Sequence, residues 1–205
     1  MSYQNVPGYF NFEILYSDII RCAPPSSMLV EVGVWYGKSI TFLAEQARIA
    51  NKNLQLFAVD TWRGSTDQQG EDHDALEASY GGVWRSFLNY IRTEKVNDLI
   101  TPMCLSSVEA AKYFENNSLF MVFIDGQHTY DAVKADILAW APKIMPGGVL
   151  AGHDYITELN GTPNDVKRAV NELIAPDLLK DFTGCWFCQK TRNSVLAKDM
   201  ATPVS

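Results

Sequence analysis

Short apolar runs alternate along this chain with longer stretches whose apolar positions recur every three or four residues, the pattern of strands alternating with helices. Ser27-Met-Leu-Val-Glu-Val, Leu54-Gln-Leu-Phe-Ala-Val-Asp60, Leu99-Ile-Thr-Pro-Met-Cys, Leu119-Phe-Met-Val-Phe-Ile-Asp125 and Val149-Leu-Ala-Gly predict strands. The Leu119 run is apolar and β-prone almost throughout, so it reads as buried on both faces. Pro102 cannot donate to a ladder and assigns its strand to a sheet edge. Between the runs, the helix from Gly37 onward puts Ile40, Leu43, Ala44 and Ala47 on one face, and a helix over Val83 to Glu94 does so with Trp84, Phe87, Leu88 and Ile91. Ser107 is placed to cap a helix running through Ala111 to Phe114, and Thr129 to cap one that turns Val133, Ile137 and Trp140 inward. Pro146-Gly-Gly predicts the turn into the Val149 strand. Thr162-Pro-Asn opens a helix with Val166, Ala169, Val170 and Leu173 on its core face. A helix over Phe12 to Arg21 precedes the series, and Lys180 to Lys190 fits two late strands antiparallel to the rest. Such alternation predicts an α/β fold: a mostly parallel central sheet, helices on both faces, and an antiparallel C-terminal strand.

Ligands of such sheets sit beyond the carboxyl ends of the strands, near the point where strand order reverses. Candidate residues therefore follow the strands. Glu31 lies within an apolar run, where a carboxylate is costly unless hydrogen-bonded. Gly33 and Gly37 let the next loop pass close to a ligand, and Ser39 stands at the opening of the helix. The spacing is not G-x-G-x-x-G, and Val32 replaces the first glycine that a phosphate loop ending in Gly37-Lys-Ser needs. Asp60 is placed to grip the two hydroxyls of a ribose, a device shared with nicotinamide enzymes. Thr61 and Trp62 could line an adenine, Trp62 by stacking. After the fourth and fifth strands, Asp125, His153 and Asp154 offer two carboxylates and an imidazole to a divalent ion. His128 has an unperturbed pKa suited to taking a hydroxyl proton near neutrality, with packing against the next helix as the alternative.

Glu31-Val-Gly-Val-Trp-Tyr-Gly-Lys-Ser resembles motif I of class I S-adenosylmethionine-dependent methyltransferases, above all the catechol O-methyltransferase-like branch. Phe123-Ile-Asp-Gly-Gln-His-Thr-Tyr, followed by Pro146-Gly-Gly-Val-Leu-Ala-Gly-His-Asp-Tyr155, is similar to small bacterial methyltransferases grouped with macrocin O-methyltransferase and cephalosporin-hydroxylase-type proteins. The resemblance covers Ser27 to Asp154 and implies the Rossmann-like class I methyltransferase fold. It implies that the Gly33–Gly37 loop, Trp35 included, and Ser39 hold the methionine part of the cofactor, with Glu31 orienting its amino group directly or through the loop. It implies that Asp125 with the His153–Asp154 pair binds Mg²⁺ or Mn²⁺. His153 departs from the acidic residue usual there. His128 occupies the position of the catechol enzymes' catalytic Lys, and Ser106 and Ser107 lie where relatives contact adenine. The expected reaction is metal-assisted O-methylation of a hydroxyl on a small molecule or sugar. A nicotinamide oxidoreductase, which lacks its glycine signature here, and a cofactor-binding protein without transferase activity are the alternatives.

Composition narrows the rest. Of 205 residues, 47% are hydrophobic and 20% charged, which suits one domain over 1–205 and excludes a disordered chain. A net charge of -7 argues against a nucleic-acid partner. No apolar run would span a bilayer, and the N-terminus lacks the marks of a signal peptide, so a cytoplasmic setting is expected. The four cysteines do not form a disulfide framework, and Cys185 and Cys188 would point to opposite faces of a strand. The polar, Gly-containing stretch 61–82, with His73, reads as a lid or a surface loop. A homodimer is left open.

Overall fold

In the computed structural model, residues 2–64, 82–159, 162–191 and 197 are described. The expectation of a lid over 61–82, and the placement of His73, fall largely on residues outside these.

The strands β1 (Met28–Val32), β2 (Gln55–Asp60), β3 (Ile100–Cys104), β4 (Leu119–Ile124) and β5 (Ile144–Gly152) run parallel. With β8 (Lys180–Phe182) and β9 (Cys185–Gln189) they make a seven-stranded sheet of order β3-β2-β1-β4-β5-β9-β8. β9 is antiparallel to β5 as expected, but β8 pairs antiparallel with β9 and so runs in the direction of β1–β5, which corrects the expectation of two late strands antiparallel to the rest. β3 takes the sheet edge that Pro102 requires, with Pro102 paired to Ala58. β4 is buried along its whole length.

Three described helices cover each face. On one side α1 (Glu13–Cys22), α2 (Lys38–Ala50) and α3 (Val83–Thr93) bury Tyr16, Ile40, Leu43 and Phe87 against Leu29, Leu56 and Phe123. On the other α4 (Ser107–Ala111), α5 (Tyr130–Trp140) and α6 (Asp165–Leu173) bury Val133, Ile137, Trp140 and Val170 against Val30, Val122 and Leu150. Cys185 belongs to the first core and Cys188 to the second, so alternation along β9 separates them as expected. Asn164 caps α6, its side chain accepting from Lys167 N at 2.9 Å.

Two local expectations are corrected. Ser107 does not cap α4; it is the first helical residue, with Ser106 at the cap position, because its hydroxyl is engaged by Trp140 Nε1 at 2.9 Å. Pro146-Gly-Gly is not a turn before β5 but an irregularity inside it. The register with β4 jumps from Leu119↔Ile144 to Met121↔Val149, and the strand resumes beyond the bulge. A two-stranded hairpin, β6 (Glu158–Leu159) with β7 (Thr162–Pro163), follows β5 and had no periodic signal.

Strand order reverses between β1 and β4. The described residues place no helix long and apolar enough to cross a membrane.

Candidate active site

A cleft of about 970 Å³ opens over the carboxyl ends of β1, β2, β4 and β5. Its construction starts with Glu31, 1% exposed inside β1. Tyr16 of α1 donates to its Oε2 at 2.8 Å and Ser39 of α2 to its Oε1 at 2.5 Å. Desolvation pushes its pKa up to about 8, against the opposing pull of those two hydrogen bonds. Both oxygens are thus held by protein, and Glu31 is not among the residues that line the cleft.

Gly33 has φ +83°, and a Cβ there would lie 1.9 Å from the Asp125 carbonyl oxygen. What its missing side chain admits is the β4 loop: the two strand ends at the reversal point touch backbone to backbone. Gly37, φ +89°, is similarly closed by the Phe87 ring, 2.8 Å from a would-be Cβ. Both glycines are required by protein contacts, and Gly33 also borders the cleft.

Asp60 organises the next wall. Its Oδ2 accepts from Val34 N and Trp35 N, both at 2.8 Å, and its Oδ1 from Trp62 N at 2.7 Å. A carboxylate offers about four acceptor directions, so three backbone donors leave room for one ribose hydroxyl rather than two. Trp62 is not free to stack on a base. It is 5% exposed, packed on Trp84 and Phe87 at ring distances of 4.4 and 4.9 Å, with Nε1 donating to Trp35 O at 2.9 Å. Trp35, 43% exposed, is the open indole of this wall, and Thr61, Ser106 and Ser107 border the same cleft. Trp35, Trp62 and Asp154 all hold left-handed backbone, φ 50°, 51° and 56°. Non-glycine residues adopt it only where surroundings impose it, and here each stands in a different strand-end loop facing the cleft.

At the other end of the cleft four side chains converge. His128 Nε2 lies 2.9 Å from Asp154 Oδ2 and 3.9 Å from Asp125 Oδ1; His153 Nδ1 lies 3.5 and 3.8 Å from the same two oxygens. Asp125, His128 and Asp154 offer donor atoms all within 4.8 Å of one another, so His128 joins the cluster for which the sequence proposed Asp125, His153 and Asp154. Hydrogen bonds to Asp125 and Asp154 push the His128 pKa up to about 10, far from the neutral base its unperturbed value suggested. Burial alone would lower His153 and raise Asp154, but their mutual hydrogen bond and the neighbouring charges outweigh it, leaving His153 raised and Asp154 lowered. Two half-buried carboxylates therefore draw positive charge into this corner.

The segment preceding α1, which carried no motif, reaches this corner too. His153 Nε2 meets Asn11 Oδ1 at 3.2 Å, Asn11 Nδ2 donates to Tyr9 OH at 2.9 Å, and Phe12 packs against the imidazole at 5.2 Å between centroids. Ser2 N and Asn5 Nδ2, donating to Glu94 at 2.7 and 3.0 Å, fasten this segment to the end of α3.

Comparison with known proteins agrees with the fold. Residues 30–155 match the family described as methyltransferase domain. The chain belongs to the methyltransferase domain family. A curated relative, the uncharacterized protein y4gI of Sinorhizobium fredii, is 30% identical over 128 residues, 62% of this chain; the chain spans 13% of that protein's length. The O-methyltransferase NovP shares the fold at 17% identity and a TM-score of 0.59, over 88% of this chain and 79% of NovP. A SAM-dependent O-methyltransferase from Thermotoga maritima does so at 12% identity and a TM-score of 0.58, over 93% of this chain and 68% of its own. The domain has the Rossmann-like fold of class I S-adenosylmethionine-dependent methyltransferases.

Proposed function

We propose that the protein transfers a methyl group from S-adenosylmethionine to a hydroxyl oxygen of a small molecule or sugar, assisted by a divalent metal ion. The observation that carries this reading is the convergence of Asp125, His128, His153 and Asp154 in a cleft that Gly33, Trp35 and Asp60 also line. The hydroxylated acceptor agrees with the names of the two similar solved proteins, both O-methyltransferases.

The donor set suits Mg²⁺ or Mn²⁺: two carboxylates, with an imidazole that shifts preference toward Mn²⁺. Asp125, Asp154 and His153 Nδ1 would hold the ion. Asn11 anchors the other nitrogen of His153, as ligand imidazoles are commonly anchored. When bound, the ion would position the acceptor hydroxyl and lower its pKa.

In the protein alone, the His128 imidazolium supplies the positive charge that the two carboxylates demand. With the carboxylates engaged elsewhere, His128 loses the partners that hold its proton and becomes a base for the acceptor hydroxyl. The Gly33–Gly37 loop and Asp60 would hold the cofactor, and what the site would supply is alignment of its methyl group with the acceptor oxygen. Such alignment is worth effective molarities of about 10⁵–10⁸ M in well-oriented intramolecular reactions. The test is methyl transfer from radiolabelled S-adenosylmethionine to a panel of phenols, catechols and sugars, with Mg²⁺ or Mn²⁺ and then with chelator. Chelator-sensitive labelling of a hydroxyl, lost in Asp154→Ala, supports the proposal. Transfer indifferent to chelator and to Asp154→Ala contradicts the metal's role.

A further inference from the structure

One acidic side chain on the cleft has no part in the reading above. Asp136, on α5, is 5% exposed yet borders the cleft. Its position repeats the core face of α5 with Val133, Ile137 and Trp140, where an apolar residue is the rule. The direction of its hydrogen bonding follows from its neighbours. An indole nitrogen only donates, so Ser107 Oγ accepts from Trp140 Nε1 at 2.9 Å and gives its own proton to Asp136. That chain of donors ends on a carboxylate with most of its acceptor capacity still unused by it. Burial, opposed by the Ser107 bond, lifts Asp136 to about 6, so it is an ionised acceptor at neutral pH.

Small and apolar side chains line part of the same cleft. Ala132, one turn before Asp136 on α5, and Ala135 line the same cleft, as do Leu105 and Val108, just beyond β3. β2 and β3 are neighbours, so Asp60 at one strand end and Leu105–Val108 after the next would set a ribose and its base side by side. A slot with apolar sides and one buried acceptor fits a flat heteroaromatic ring that carries an amino group. It disfavours the same ring with an oxo group, whose oxygen would face a carboxylate without a proton between them.

Resting on the cofactor reading above, we infer that Asp136 recognises the exocyclic amino group of the cofactor's adenine, selecting a 6-amino over a 6-oxo purine. Calorimetric titration with S-adenosylhomocysteine and with S-inosylhomocysteine, in which oxygen replaces the 6-amino group, tests it. The wild type should prefer the adenosyl compound by about tenfold or more. Asp136→Asn keeps the shape and the bond from Ser107 but presents an amide to the slot, so it should bind the adenosyl compound more weakly and abolish or reverse the preference. Ala135→Leu, at an exposed position, should weaken both compounds together and leave their ratio unchanged, separating a filled slot from a lost acceptor. Thermal unfolding checks that each variant folds. Equal binding of both compounds by the wild type, or an unchanged ratio in folded Asp136→Asn, overturns the inference while leaving the cofactor assignment standing. Failure of the wild type to bind either compound overturns both.

Discussion

Replacing Glu31 with glutamine should remove a pH dependence of stability that the wild type carries across neutrality. Glu31 is desolvated inside β1, and its carboxyl titrates near 8 in the folded protein against 4.5 as the ordinary value. A raised folded pKa means that the native state binds more protons than the unfolded chain between these two values. The contribution is complete below 4.5 and is lost as pH rises toward 8. Each unit is worth about 1.4 kcal/mol, so the whole window amounts to roughly 5 kcal/mol. Glutamine does not titrate. It can accept from Tyr16 or Ser39 as the carboxylate does, at a cost of about 1–3 kcal/mol if one partner is left unpaired. At pH 5 the variant should therefore be the less stable protein. By pH 8 the order should approach parity or reverse. Denaturant unfolding followed by tryptophan fluorescence at pH 5, 6, 7 and 8 gives the difference between the two proteins, from which all shared titrations cancel. That difference should shift by more than about 3 kcal/mol in favour of the variant across the series. A difference constant within about 0.5 kcal/mol would show that Glu31 is not buried as described, and the account of how β1 supports the loop would fall.

Three other outcomes follow. Gly33→Ala should lower stability by at least about 3 kcal/mol, because its Cβ would meet the Asp125 carbonyl and the backbone would keep φ +83°; a melting temperature within a degree or two of wild type would refute the backbone contact between β1 and β4. Tyr16→Phe should cost about 1–3 kcal/mol by leaving Glu31 Oε2 short of its donor, measured in urea at pH 8, where the carboxylate form matters most. Asn11→Leu should weaken Mn²⁺ binding, followed by electron paramagnetic resonance, by about tenfold or more through loss of the His153 anchor, with Asn11→Asp keeping an acceptor and retaining most of the affinity. Equal affinity in Asn11→Leu and wild type would remove His153 from the ligand set.

The sheet was legible because each parallel strand is a compact apolar run and each helix keeps its core face at regular spacing. Even the edge position of β3 followed from Pro102 alone. The bulge at Pro146-Gly-Gly was not, since a proline and two glycines signal a break without saying whether the strand resumes its pairing. Strand ends brought Asp60, Asp125, His128, His153 and Asp154 to one cleft, as the motifs suggested. What those residues do there was harder to read. The unperturbed pKa of His128 gave no hint of the two carboxylates that raise it, because that effect depends on distances across β4 and β5. Tyr16, Asn11 and Tyr9 were invisible because their partners Glu31 and His153 lie far along the chain, and no local pattern links them. Asp136 did leave a trace: a carboxylate at a core position of an otherwise apolar helix face.

The most direct test of the whole account is calorimetric titration with S-adenosylhomocysteine, alone and then with Mg²⁺ or Mn²⁺. The account predicts micromolar binding that Asp60→Ala abolishes, with a separate metal heat that Asp154→Ala abolishes. Folded protein that binds no S-adenosylhomocysteine under either condition would contradict it.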